Sequence, residues 1–194
     1  MPREPSFSKS EVLDRLTDAF VTHGYAGTSL TVLKEATGLG SQSLYNAFGD
    51  KQSMYLQAID CAARRSAPGI AAMQRAVDGR AAIAAYFAVI VECCASTDPA
   101  LRNCIGTNGL LEGLDEAPLV WALTTRWQSN HELLRSAVER GQRDGSIVSA
   151  TPSADLAEVL TSLTSGLRVA ARVGRSQDQM ERLVQLTLSV LDMS

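Results

Sequence analysis

The sequence predicts an all-α protein. Apolar residues recur at helical spacings along almost the whole chain of 194 residues, and no segment alternates with the two-residue period of a β-strand. The hydrophobic share of 45% and the charged share of 20% are ordinary for a globular protein with a core, which excludes disordered and collagen-like classes. No apolar run approaches the ~20 residues of a membrane-spanning helix, and the start of the chain has no apolar signal region. We therefore expect a cytoplasmic protein that contacts no membrane.

Two helices are predicted before residue 40. Ser8-Lys9-Ser10-Glu11 forms a capping box, in which a serine hydroxyl and a glutamate carboxylate each satisfy a backbone N–H, and the first helix begins there. Gly24 and Gly27 interrupt its pattern. A short second helix over 30–37 follows, and Gly38 ends it in the left-handed conformation.

Two more helices complete the predicted N-terminal domain. The third helix covers 41–47 and carries Leu44 and Phe48, one turn apart, as a buried pair. Asp50 is the predicted N-cap of a fourth helix that runs to Pro68-Gly69.

The helices after Pro68-Gly69 are longer. The change in helix length at this point predicts two domains, an N-terminal domain over 6–66 and a larger helical bundle over 69–194. The bundle has a broken stretch around 98–114 and four long predicted helices: about 80–95, Pro118 to Asp144, about 152–173 after a Thr151-Pro152 cap, and about 176–192 after a second capping box at Ser176-Gln177-Asp178-Gln179.

The second and third helices, joined by Gly38-Leu39-Gly40, match a helix-turn-helix over about 29–48. Because Leu44 and Phe48 face inward, a polar set shares the opposite face of the third helix: Ser41, Gln42, Tyr45 and Asn46. Gln and Asn can pair with base edges in a major groove about 12 Å wide, and Tyr can bond a phosphate or pack on a thymine methyl. This face is typical of a DNA-reading helix.

Lys51 supports the same interpretation. A cation in the first turn of a helix opposes the helix dipole, but a phosphate docked there would contact both the ammonium group and the free N–H groups of the helix. An ordinary solvated lysine is the alternative interpretation of Lys51 alone.

Several short motifs carry a resemblance to a known family: Gly24-Tyr25, Gly27-Thr28-Ser29-Leu30, Gly38-Leu39, Ser43-Leu44-Tyr45, Phe48 and Asp50-Lys51. In these motifs residues 6–66 resemble the N-terminal domain of TetR-type transcriptional regulators. The resemblance implies eight DNA-contacting residues: Ser29 and Thr31 near phosphates, Ser41, Gln42 and Ser43 at base edges, and Tyr45, Asn46 and Lys51 on the DNA backbone.

The resemblance also implies the function. It implies a homodimeric transcriptional repressor, not an enzyme and without a cofactor, that binds a pseudo-palindromic double-stranded DNA operator and is released by a small-molecule inducer. The last two helices would form a four-helix bundle with a second subunit, through Leu156, Leu160, Leu163, Leu167, Leu183, Leu188 and Leu191. The sequence leaves open which inducer and operator are bound and whether the output is repression or activation.

The predicted DNA-binding domain lacks the net positive charge that a simple expectation gives to a domain that binds a polyanion. Residues 1–66 contain seven basic and seven acidic side chains, so this domain is not globally basic. Binding must therefore depend on where the charges lie, and the few phosphate-facing cations predict a modest salt dependence for each subunit.

Residues 69–194 contain both tryptophans and three of the four cysteines, which suits an apolar ligand pocket with a few polar groups. The candidate lining residues are Phe87, Ile90, Val91, Cys94, Cys104, Leu110, Trp127 and His131, although such side chains at helical spacing are more often core.

Four alternatives remain open. Cys104 beside Arg102 could be a thiol sensor. Cys93, Cys94, Cys104 and His131 could bind a metal, although adjacent cysteines do not match the usual zinc spacing. A Cys104–His131 pair could be the nucleophile and base of an enzyme, although no third orienting group is identifiable. A dimeric interaction protein whose DNA-binding domain has lost its activity is the last alternative.

Overall fold

A computed structural model describes residues 8–193, which form eleven α-helices and no strand. The all-α prediction is confirmed. Residues 6 and 7, the predicted start of the first domain, lie outside the described part. The helices are α1 (Lys9–Gly27), α2 (Leu30–Thr37), α3 (Ser41–Phe48), α4 (Lys51–Arg65), α5 (Ala67–Arg75), α6 (Gly79–Ala95), α7 (Pro99–Arg102), α8 (Ile105–Leu111), α9 (Ala117–Asp144), α10 (Ser153–Arg172) and α11 (Gln177–Leu188), followed by a 3₁₀ turn over Ser189–Asp192.

The helix ends follow the predicted capping chemistry. Ser8 accepts a hydrogen bond from the Glu11 N–H, and both bonds of the capping box at Ser176 are present. Two expectations were wrong. Pro68 lies in the first turn of α5 rather than after a helix end, because the missing N–H of proline is tolerated there. Pro152, not Thr151, is the N-cap residue of α10.

The chain divides into two compact units that differ from the predicted contiguous domains. The described part of the first unit runs to Arg65 and again over Asn103–Thr124, and the second covers Ser66–Arg102 and the chain from Thr125 onward. The segment 103–124 joins the first unit because α8 packs on α1 and α4. Ile105 is buried there, and a Cβ on Gly109 would lie 2.6 Å from the Tyr55 hydroxyl oxygen.

The core of the first unit is built around aromatic rings on α1 and α4. The Phe20 and Tyr55 rings meet edge to face with their centroids 5.0 Å apart, and both side chains are fully buried. Leu44 and Phe48 of α3 are buried in the same core, which confirms the predicted pair. Burial of an apolar side chain of this size stabilises a fold by roughly 1.5–3 kcal/mol.

The second unit has its own core, to which α6, α9, α10 and α11 contribute. This core contains most of the leucines that were predicted to form the dimer interface: Leu156, Leu160, Leu167, Leu188 and Leu191, each at most 2% exposed. That part of the prediction was wrong, because these side chains pack within their own chain. Of the predicted set, Leu163 is half-buried and Leu183 is 42% exposed.

The start of α6 lies against the end of α9 in the second unit. Asp78, Asp144 and Ser146 accept the N–H groups of Ala81, Gly79 and Arg80, so the first turn of α6 is fully capped. A Cβ on Gly79 would contact the backbone of Gly141 and lie 2.6 Å from the Ala137 carbonyl oxygen. The close approach of the two helices therefore depends on glycine. Within residues 8–193, no helix is both long and apolar enough to span a bilayer.

Gly79→Ala should lower the free energy of unfolding by about 2 kcal/mol, because the added methyl group overpacks a backbone contact that cannot relax. Urea denaturation followed by circular dichroism measures this change. Gly69→Ala is the matched control, since its methyl group would meet Val89 at an ordinary 3.6 Å. Equal stability of the two variants would contradict the assigned role of Gly79.

Candidate nucleic-acid interface

The helix-turn-helix lies where the sequence predicted it, in α2 and α3 of the first unit. Gly38 ends α2 with a φ of 73°, and its N–H donates to the Lys34 carbonyl at 2.8 Å. Thr37, buried beside it, bonds back to the Leu33 carbonyl at 2.6 Å. After this tight turn Gly40 is the N-cap residue of α3 and offers no side chain to its N–H groups. The first backbone donors of α3 are thus open to a ligand.

The outer face of α3 carries the predicted reading residues. Gln42, Ser43, Tyr45 and Asn46 are exposed, and Ser41 is half-buried. The Gln42 amide nitrogen donates to the Asn46 side-chain oxygen at 3.0 Å, so the two amides orient each other. This bond leaves the Gln42 carbonyl oxygen and the Asn46 amino group to pair with base edges.

The two predicted phosphate contacts on α2 lie at its exposed start. The Ser29 hydroxyl oxygen accepts from the Val32 N–H at 3.3 Å, and its own proton can still be donated. Thr31 is exposed in the first turn of the same helix.

Lys51 lies in the first turn of α4, beside the aromatic ring of Tyr25. Its Nζ is 4.6 Å from the ring centroid, a cation–π contact that holds the ammonium group in place. Tyr25 packs in turn on Tyr55, with the ring centroids 4.9 Å apart. Burial, followed by the charges of Glu116 and Asp50, raises the pKa of Tyr25. The sequence analysis missed this role of Tyr25, although the Gly24-Tyr25 motif was a signal for it.

Asp50 caps α4 immediately before Lys51. Its carboxylate accepts the Ser53 N–H at 2.8 Å, and this hydrogen bond lowers the pKa of Asp50 below its ordinary 3.8. Asp50 therefore fixes the helix start from which the Lys51 side chain extends.

No family model matches the chain, but several known proteins are similar to it over nearly its whole length. The transcriptional repressor ComR of Escherichia coli K12 is 28% identical over 190 residues, which cover 96% of this chain and 90% of ComR. The HTH-type transcriptional regulator YezE of Bacillus subtilis 168 is 28% identical over 99% of this chain and its own full length.

The solved structures that resemble this one are also those of transcriptional regulators. A double cysteine variant of the TetR-family regulator CifR, complexed with a 26-base-pair operator, matches with a TM-score of 0.87 and 27% identity over 96% of this chain and 98% of that one. A TetR regulator from Chloroflexus aurantiacus shares the fold, with a TM-score of 0.84 and 22% identity over 96% of this chain and 94% of that one. The chain is therefore similar over nearly its whole length to a TetR-family transcriptional regulator.

The acidic and basic side chains of the first unit differ in whether they form ion pairs. Arg65 pairs with Asp14 at 2.9 Å and with Asp18 at 2.5 Å, away from the helix-turn-helix sequence. The Arg65 guanidinium lowers the pKa of Asp14. Among residues 8–193, Lys34 and Lys51 take part in no ion pair, so their charges are available to a polyanion.

The predicted ligand-pocket residues are divided between the two units. A cavity of about 910 Å³ lies between α6 and α11, and only Phe87 and Val91 of the predicted set line it. Cys104 and Leu110 belong to the first unit, and Cys94 is buried in the core of the second. Ile90 and Trp127 are half-buried, and the His131 Nε2 lies 3.3 Å from the Ala154 carbonyl oxygen. Two of the eight predicted residues thus line this cavity, and a pocket formed by the whole set stays a prediction.

The alternatives based on cysteine chemistry gain no support from the structure. In the described part of the chain, no three His, Cys, Asp or Glu side chains are grouped so that they could hold a metal. Cys104 and His131, the two groups of the enzyme alternative, belong to different units. The relatives are transcriptional regulators. The thiol-sensor role of Cys104 stays a prediction.

The stability of the α4 start should depend on pH through Asp50. Its lowered folded pKa means that the stabilisation by the ionised cap is complete at neutral pH and is lost as the pH falls below 3.8 through the folded pKa. Asp50→Asn keeps a capping side chain without the charge, so its deficit in melting temperature should be largest near about pH 7 and shrink toward about pH 3. Calorimetric melting at several pH values measures the deficit.

Asp50→Ala removes the capping group and should melt below Asp50→Asn throughout this range. A deficit of Asp50→Asn that stays constant with pH would show that the Asp50 charge does not act as described.

Proposed function

We propose that this protein is a homodimeric, TetR-type transcriptional repressor that reads a pseudo-palindromic operator with α3 and is released by a small-molecule inducer. The observation that carries the DNA-binding part is the outer face of α3, which is entirely polar, bears an uncapped N-terminus and is followed by Lys51 at the start of α4. The CifR variant in complex with operator DNA and the repressor ComR support the same function.

Different residues would contact the bases and the phosphates of the operator. The amides of Gln42 and Asn46 would read base edges, together with the hydroxyl groups of Ser41 and Ser43. Contacts to phosphates would fix the position of α3 in the groove and carry no sequence information. Ser29, Thr31 and the N–H groups at the start of α3 would make such contacts, with Tyr45 and Lys51.

Selection of bound sequences from randomised double-stranded DNA should enrich a pseudo-palindrome. The affinity of the protein for this sequence then tests the proposed interface. Lys51→Ala and Tyr45→Ala should each weaken operator binding about tenfold, and Lys51→Ala should reduce the salt slope by about one for each subunit of the dimer. Gel-shift titrations at several salt concentrations measure both quantities.

Arg143→Ala removes one exposed positive charge from the second unit and serves as the matched control. Parent-like binding by both Lys51→Ala and Tyr45→Ala would reject α3 and the α4 start as the interface.

The proposed dimer uses the exposed sides of α10 and α11. On α10 the exposed apolar residues are Val159 and Val169, at 47% and 48% exposed, followed by the C-cap residue Val173 at 69%. On α11 they include Leu183 and Leu186, at 42% and 68% exposed. Val169 and Val173 are four residues apart and Leu183 and Leu186 three, spacings that are typical of a helix-packing face. This face replaces the buried leucines of the sequence-based prediction. An apolar face of this kind suits a second copy of the same chain, which would pack its α10 and α11 into a four-helix bundle.

A charge on this face should prevent dimerisation. Val169→Asp combined with Leu186→Asp should shift the protein to monomer in sedimentation equilibrium, because two carboxylates would be desolvated in each half of the interface. Operator affinity should fall as well, since a monomer reads one half-site. Val77→Asp, at a residue 87% exposed on another segment of the second unit, is the control. A dimeric double variant would place the interface elsewhere.

The inducer would bind in the second unit. The cavity between α6 and α11 has an apolar floor that includes Phe87, Val91 and Leu188 and a charged rim that includes Glu92 and Arg182. These features suit a small amphipathic molecule. Repeating the DNA selection with candidate inducers would test release.

A further inference from the structure

The backbone of α1 is broken near its end, at Gly24. This residue has a φ of 73°, and the chain continues into a short helical turn that ends at Gly27. In an unbroken helix the Tyr25 N–H would donate to the Val21 carbonyl. The break separates these groups and leaves a carbonyl on one side and two N–H groups, of Tyr25 and Ala26, on the other.

Two side chains of the α8 region form hydrogen bonds with the backbone groups on the two sides of the break. The Asn108 amide nitrogen donates to the Val21 carbonyl at 3.3 Å. The two carboxylate oxygens of Glu112, the residue that ends α8, accept the N–H groups of Tyr25 and Ala26, each at 2.9 Å. Asn108 and Glu112 are one helical turn apart, so a single face of α8 supplies the donor and the acceptor that the break requires. We call this pair the α8 clamp.

The absence of a side chain at Gly24 makes room for the α8 clamp. A Cβ at this position would overlap a Glu112 carboxylate oxygen and lie 2.8 Å from the Glu112 Cδ. The Gly24 carbonyl accepts the buried Thr28 hydroxyl at 2.5 Å, which ties the turn to the residue before α2. The carboxylate therefore occupies a site that the bare glycine backbone leaves open for it.

We propose that Asn108 and Glu112 are positioning residues for DNA binding: by clamping the Gly24 break they hold Tyr25, and through Tyr25 the Lys51 ammonium group, in place for a phosphate. This inference rests on the proposed function. The Tyr25 backbone is bonded to Glu112, and its ring lies under the Lys51 Nζ at 4.6 Å. Charge-assisted bonds from backbone N–H groups to a carboxylate are among the stronger hydrogen bonds in proteins, so they can hold this arrangement.

The first test uses NMR of the free protein and needs no DNA. The Tyr25 ring should shift the ε-methylene protons of Lys51 upfield, and the Tyr25 and Ala26 amides should be protected from hydrogen exchange. Glu112→Gln should reduce the upfield shift and speed exchange of these amides about tenfold, because the glutamine amide has one acceptor oxygen for the two N–H groups and carries no charge. Tyr25→Leu should abolish the shift and calibrates it.

The second test measures operator affinity. Glu112→Gln should weaken binding about tenfold in the parent, but less than about twofold in a Lys51→Met background, because the clamp acts through Lys51. Asn108→Asp, which places a carboxylate oxygen against the Val21 carbonyl, should weaken binding in the same way. Asp115→Asn removes an equal charge three residues from Glu112 and should bind like the parent.

The outcomes separate this inference from the proposed function. A parent protein that enriches no DNA sequence would overturn the proposed function itself. A parent that binds its operator, together with a Glu112→Gln variant that binds equally well or loses the same factor with and without Lys51, would overturn the role of the α8 clamp alone. An unchanged Lys51 shift in Glu112→Gln would also overturn it.

Discussion

Burial of Leu44 and Phe48 is the constraint on which the DNA-binding surface depends. Both side chains lie in the core of the first unit, and two anchors one turn apart leave α3 no freedom to rotate about its axis. The polar residues of α3 are consequently exposed. No side chain caps the N-terminus of this helix. The same core includes Tyr55, which packs against Tyr25, so the ring that contacts Lys51 is supported by that core. The proposed reading face of α3 and the Lys51 side chain thus rest on the same apolar core.

The first unit also shows how a nearly neutral domain can bind a polyanion. Its strongest acid–base pairs join α1 to α4, where Arg65 contacts Asp14 and Asp18. Those acids are neutralised locally, whereas Lys51 is held by an aromatic ring that carries no charge. A cation–π contact keeps an ammonium group in position without neutralising it. Net charge is therefore a poor guide to the partner of this protein, and the local arrangement of charges is the better one.

Leucine periodicity did not distinguish the inner and outer faces of the last two helices. An amphipathic helix in a dimer has two apolar faces, one for its own core and one for the partner, and both follow helical spacing. Leu160 and Leu167 were predicted to contact the partner, yet they pack within their own chain. The exposed face is richer in valine, with Val159 and Val169 on α10 and Val173 at its C-cap. Only the burial of each residue separates the two sets.

The sequence by itself determined the helices and the orientation of the reading helix, because capping boxes, left-handed glycines and apolar pairs act over a few residues. The start of α11 at Ser176 and the turn at Gly38 are local in this sense. The tertiary structure alone decided which unit contains residues 103–124 and which side chains meet there. Glu112 bonds to backbone groups 86 and 87 positions earlier in the chain, and no local pattern encodes a contact between such distant residues.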